Sequence, residues 1–184
     1  MFSKVSNFIL KIFGWRIKGG YPHAEKKFIL LVMPHTSNWD FPLGILVRSA
    51  SKSGIKFLGK DSLFRFPYGF IFRWLGGYPV ERSKSHNYVQ TVVDIFNSKE
   101  RFSVTIAPEG TRSKVKKLRT GFYYIALGAK IPIVFCKFDY ANREVVFGNP
   151  IFPSGNKEAD FEVIYKHFRG VKGKNPELGY LYDN

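Results

Sequence analysis

KFILLVMPHTSNWD, Lys27 to Asp40, decides how this chain is read. Phe28 to Met33 form an unbroken apolar run, too short for a spanning helix and lacking the alternation of a half-wet strand. Such a run reads as a strand buried on both faces, the kind found in parallel sheets. Pro34 ends it, and His35 follows at once. Further strand candidates are Ile55–Gly59, Tyr78–Glu81, Phe102–Ala107, Ile131–Asp139 and Glu144–Phe147. Helical patterns at Phe41–Lys52, Ser85–Glu100, Thr120–Lys130 and Lys157–Arg169 separate most of them. The alternation predicts a single α/β domain with a largely parallel central sheet flanked by helices. Ligands of such sheets gather beyond the carboxyl ends of the strands. His35, after the first strong strand, and Glu109, after Phe102–Ala107, are therefore expected to converge.

The chain has 184 residues, enough for one domain with a substantial core. Its 29 Lys and Arg against 14 Asp and Glu give a net charge of +15, which favours anionic partners. The 19 Phe, 10 Tyr and 3 Trp suit the headgroup level of a bilayer more than an ordinary basic nucleic-acid binder. Cys136 is the only cysteine, so no intrachain disulfide forms, and its apolar surroundings predict a buried, inert thiol. No stretch reaches the roughly 18 apolar residues of a spanning helix, and no convincing secretory signal precedes the domain. No metal-ligand spacing, P-loop or G-x-G-x-x-G is present, so no cofactor is expected.

Three strings carry chemistry. HTSNWD places Asp40 five residues after His35. Neighbours on a helix face lie three or four apart, so His35 must sit in the turn before a helix and Asp40 must reach back from its first turn. Taken alone, the string is better explained by Asp40 as a helix cap, or by a Ser37–Asp40 capping box. Its place after a strand, with the other motifs downstream, reverses that preference. A histidine oriented by an aspartate is a ready general base. In APEGTRS, Gly110 permits close backbone approach and Arg112 offers an anion ligand, against the bland reading of a surface turn. In GGYPVERS, Arg82 is a third anion candidate. Together the strings suggest transfer of a group onto a hydroxyl of an anionic substrate.

HTSNWD, GGYPVERS, APEGTRS and then IPIV at Ile131–Val134 resemble, in order, the four blocks of the glycerolipid acyltransferase family, which includes the lysophospholipid acyltransferases. The resemblance implies His35 as catalytic base, Asp40 as its partner, and Gly77, Arg82, Glu109, Gly110, Thr111 and Arg112 at the acceptor. It implies transfer of a fatty acyl group from acyl-CoA or acyl carrier protein to the free hydroxyl of a lysophospholipid. The first acceptor reading is 1-acylglycerol-3-phosphate, giving phosphatidic acid; another lyso-lipid, such as an aminolipid, is the alternative within that chemistry. A basic nucleic-acid-binding protein is the reading from a different class, but the usual motifs are missing and no nucleic-acid partner is expected.

Residues 1–18 are expected to form an amphipathic N-terminal helix, since Phe2, Val5, Phe8, Ile9, Ile12 and Phe13 recur at helical spacing. Two readings stay open: a helix docked on the core, or an anchor on the cytoplasmic face of an anionic membrane with Trp15 and Lys18 at headgroup depth. Residues 19–170 would be the acyltransferase domain and 171–184 a basic, loosely held tail. The aromatic stretch Phe64–Leu75 divides between core packing and either a wall of the acyl groove or a membrane-facing patch.

Overall fold

The computed structural model describes residues 2–80 and 88–180. Helix α1 (Phe2–Ile12) leads into a short strand β1 (Arg16–Lys18). Then follow β2 (Lys27–Met33), α2 (Asp40–Ala50), β3 (Lys56–Lys60), a 3-10 turn at Asp61–Phe64, α3 (Gly69–Trp74) and β4 (Gly77–Val80). The second half holds α4 (Tyr88–Asn97), β5 (Phe102–Ile106), α5 (Gly121–Ala129), β6 (Ile133–Asp139), β7 (Glu144–Ile151) and α6 (Lys157–Phe168). Among the described residues the strands form one sheet in the order β1-β7-β6-β2-β5-β3-β4, with only β6 and β7 antiparallel. The α/β expectation therefore holds, with a largely parallel sheet flanked by helices.

Strand β2 is unbroken in its hydrophobicity because both its faces are covered. Ile29, Leu31 and Met33 point into a core with Val92, Val93 and Phe96 of α4, Phe122 and Ile125 of α5, and Ile164 of α6. Phe28, Leu30 and Val32 point the other way, against Leu43 and Val47 of α2 and Leu10 of α1. Cys136 lies in this second layer and burial pushes its thiol well up, as an inert core thiol requires.

Strand β1 is a short element that no apolar run announces. Arg16 and Lys18 both reach Glu144, at 2.7 and 2.8 Å, and so fasten β1 to β7 along their parallel register. The expectation of a loosely held tail is corrected for residues 171–180. The Tyr140 amide donates to the Lys172 carbonyl at 2.9 Å, Asn175 bonds to Thr36, and Tyr180 stacks on Tyr165. The Lys- and Gly-rich composition hides these contacts, which run mostly through backbone. In α4, the expected residues 85–87 lie outside the described residues.

Leu31 is fully buried at the centre of the sheet. Leu31→Ala is expected to lower the unfolding free energy by about 2–5 kcal/mol, read from the shift of a chemical denaturation midpoint.

Candidate active site

Three neighbouring parallel strands deliver the site. Leu31 of β2 pairs with Ile106 of β5 on one side and with Phe135 of β6 on the other. The chain beyond all three strands therefore emerges at one edge of the sheet. His35, Glu109 and Tyr140 are the groups that meet there.

The His35–Asp40 geometry follows from the turn between β2 and α2. His35 Nδ1 lies 2.9 Å from Asp40 Oδ2. The same oxygen accepts the backbone N–H groups of Thr36 and Ser37, both at 3.0 Å. Asp40 is the first residue of α2 rather than its cap, and its side chain turns back to the Ser37 amide, which is the reach-back half of the Ser37–Asp40 capping box. Ser37 Oγ instead accepts from the Trp39 amide at 3.2 Å. Tyr140 donates its hydroxyl to Asp40 Oδ1 at 2.7 Å. Burial pushes the Asp40 carboxyl up, but the hydrogen bonds from His35, Tyr140 and Ser37 outweigh it and hold the group below the ordinary carboxylate range. Burial and the Asp40 charge together push the Tyr140 phenol well up, which keeps it a donor. With Nδ1 facing Asp40, Nε2 is the ring nitrogen turned away from the carboxylate.

Glu109 closes the second side. Its Oε1 accepts the His35 amide at 2.9 Å, and its Oε2 is buried with no hydrogen-bond partner among the described residues. Burial raises its carboxyl above the ordinary 4.5, offset in part by the backbone amides of Glu109 and His35. Gly110 takes a positive φ of 65°, and the Arg119 side chain occupies the space where a Cβ would stand. Arg112 is exposed and donates to Asn38 Oδ1, which brings its guanidinium to the His35 loop. Thr111 Oγ1 accepts from the Ser113 amide at 3.3 Å and stays at the surface. The fold does not bring Gly77 to this group: it begins β4, opposite Phe57, packed against Phe64 and Phe72. Arg82, just past the end of β4, lies outside the described residues.

A largely apolar cavity of about 230 Å³ runs from His35 and Asp40 between the sheet and α2. Leu30, Val32, Val47, Phe57 and Phe138 are among the side chains that line it. None of Phe64–Leu75 lines it, so the groove-wall reading of that segment gives way. Phe64 is buried in the fold, whereas Phe66 is 97% and Trp74 73% exposed. No motif in the sequence marks Tyr140. Its place directly after the strand Ile131–Asp139 was the available signal, by the same carboxyl-edge rule that paired His35 with Glu109.

A family model described as Acyltransferase matches residues 16–138, which hold all of these groups except Tyr140. The chain belongs to this acyltransferase family. It is 27% identical over 142 residues to the 1-acyl-sn-glycerol-3-phosphate acyltransferase of Salmonella typhimurium, covering 72% of this chain and 56% of that protein. It is 27% identical over 132 residues to the enzyme of the same name from Escherichia coli, covering 67% and 52%. The chain thus spans about half the length of the curated relatives it matches. The crystal structure of the 1-acyl-sn-glycerophosphate acyltransferase PlsC from Thermotoga maritima shares the fold. Its TM-score is 0.60 at 18% identity, over 92% of this chain and 76% of that one.

Glu109 supplies a pH signature of this acyltransferase fold. Between pH 4.5 and its raised folded value, the folded protein keeps a proton that the unfolded chain has lost, so stability falls as pH rises through that window. Glu109→Gln keeps an oxygen for the His35 amide and has no such titration. The stability of the Gln variant relative to wild type is expected to grow across the window and then level off, measured by denaturant unfolding at a series of pH values.

Proposed function

We propose that the protein is an O-acyltransferase that acylates the free hydroxyl of 1-acylglycerol-3-phosphate to give phosphatidic acid. The observation that carries this reading is the His35 imidazole, held at Nδ1 by Asp40 and lining an apolar cavity. The names of the relatives supply the acceptor class.

In this reading His35 Nε2 removes the acceptor's hydroxyl proton. The oxygen attacks the thioester carbonyl of acyl-CoA or acyl carrier protein, the C–S bond breaks, and the thiolate leaves with the proton His35 took. Asp40 stays ionised, fixes the tautomer and stabilises the imidazolium, as in a hydrolase triad. The substrate hydroxyl is the nucleophile, and the thioester is the only co-substrate the step requires. The acyl chain fills the cavity beneath α2. Arg112 and Arg82 bind the acceptor phosphate, with Gly110 and Thr111 beside it. Glu109, whose Oε2 lacks a partner, takes up a polar group of the acceptor when it binds.

His35→Ala is expected to lower kcat by about 10²- to 10⁴-fold with acceptor binding largely kept. Arg112→Ala is expected to act mainly through acceptor KM. Labelled acyl transfer to a panel of lyso-lipids, with both donors, reads these effects. Full activity in folded His35→Ala protein would remove the mechanism.

The same reading places the protein peripherally on the cytoplasmic face of an anionic membrane. No described helix is long and apolar enough to cross a bilayer. Phe2, Val5, Phe8, Ile12 and Phe13 of the α1 region are exposed, as are Phe66, Phe70 and Trp74 around α3. Exposed arginines such as Arg65 accompany them, and each basic residue near an anionic surface contributes about 1 kcal/mol. Sedimentation with anionic liposomes is expected to weaken with added salt and with deletion of residues 1–16. Undiminished binding by a folded deletion variant would overturn the anchor.

A further inference from the structure

The family match ends at residue 138, but the hydrogen-bond network around His35 does not. Tyr140 reaches Asp40 Oδ1 from beyond β6, and its amide is tied to the Lys172 carbonyl at 2.9 Å. From there the chain passes across the outside of the turn after β2. At Gly173 a Cβ would collide with Thr36 and Pro34, so backbone lies directly on that turn. The Lys174 ammonium sits 4.6 Å from the centre of the Trp39 ring. Asn175 then grips Thr36 twice: its amide donates to Thr36 Oγ1 at 3.2 Å, and its Nδ2 donates to the Thr36 carbonyl at 2.9 Å. Thr36 is 2% exposed, and its own N–H is one of the donors to Asp40.

We propose that residues 172–175 form a strap over the His35 turn and that Tyr140 and Asn175 are positioning residues for the His35–Asp40 pair. This rests on the reading of that pair as the proton-transfer unit. Asp40 has two oxygens to orient. The turn fixes one through Thr36 and Ser37, and Tyr140 fixes the other. Without the hydroxyl, Oδ1 has water or nothing, and the carboxylate is free to rotate about its plane. Without Asn175, the peptide that presents Thr36 N–H to Asp40 loses its outer support. Small misplacements of a proton-transfer pair are expensive in rate.

Tyr140→Phe isolates the hydroxyl, because the ring and its edge-on contact with Trp15 at 4.9 Å are kept. A donor aimed at the carboxylate lowers the proton affinity of the His35–Asp40 pair, so its removal raises that affinity. Glu109, Arg112 at Asn38 and Lys174 over Trp39 also face this turn and are unchanged in the variant. Tyr140→Phe is expected to lower kcat about 10- to 100-fold with KM within about twofold. The acid limb of the kcat profile, and the titration of the His35 ring followed by NMR, are expected to move to higher pH. Asn175→Ala is expected to lower kcat in the same direction with KM kept, and Asn175→Asp, which retains one acceptor but loses the Nδ2 donor, not to restore it.

The NMR titration needs no turnover. If wild-type protein transfers no acyl group while the His35 titration still moves in Tyr140→Phe, the acyl-transfer reading fails and the positioning role stands. If wild type is active and Tyr140→Phe keeps its kcat and its titration, the positioning role is overturned. A variant that loses kcat only in proportion to a fallen melting temperature, with the His35 titration unmoved, overturns it as well.

Discussion

Parallel pairing of β2 between β5 and β6 is the constraint on which the site depends. Side-by-side parallel strands in register must release their chains at the same edge. That requirement lets residues far apart in sequence meet within hydrogen-bond distance: the His35 amide on the Glu109 carboxylate, and the Tyr140 hydroxyl on Asp40. The pairing in turn depends on a strand with no polar face, which is stable only because α1 and α2 cover one side and α4, α5 and α6 the other. The core and the site are consequences of one run of apolar side chains.

At that edge two carboxyl groups hydrogen-bonded to the same histidine behave in opposite ways. Asp40 collects four donors, counting the His35 ring, and stays ionised despite burial. Glu109 receives the His35 amide on one oxygen and leaves the other bare, so burial prevails and its carboxyl is harder to ionise. The number of donors, more than depth, separates a carboxyl that is easier to ionise from one that is harder to ionise. In the proposed reaction these two carboxyl groups serve different parts, one as partner of the imidazole and one toward the acceptor.

Much of this was legible in the residues. The apolar strand, the turn that bends Asp40 back to His35, and the convergence with Glu109 follow from spacing and from the carboxyl-edge rule. Elements held by charge or backbone were not legible. Strand β1 exists because Arg16 and Lys18 find Glu144 across the sheet, and no periodicity encodes that. The strap at 172–175 is built from lysines, a glycine and an asparagine, a composition that elsewhere marks a loose end. Gly77 was read with its motif, yet a motif records order along the chain, and the strand that follows carries its far end toward the edge while leaving the glycine under Phe64. The aromatic segment at Phe64–Leu75 does divide between core and surface, with Phe64 buried and Phe66, Phe70 and Trp74 exposed, but richness in rings does not say which ring takes which place.

The two outermost of the described strands have a further effect. An exposed sheet edge is a template for another chain, and a surface that concentrates protein raises the chance of such pairing. Here one edge is β1, three residues long and charged at both ends, with its arginine and lysine engaged by Glu144. The other is β4, where Pro79 lacks the N–H that a newcomer's carbonyl would need. Both margins resist strand addition by different chemical means. Under the proposed membrane attachment, these two devices work against edge-to-edge pairing of crowded copies.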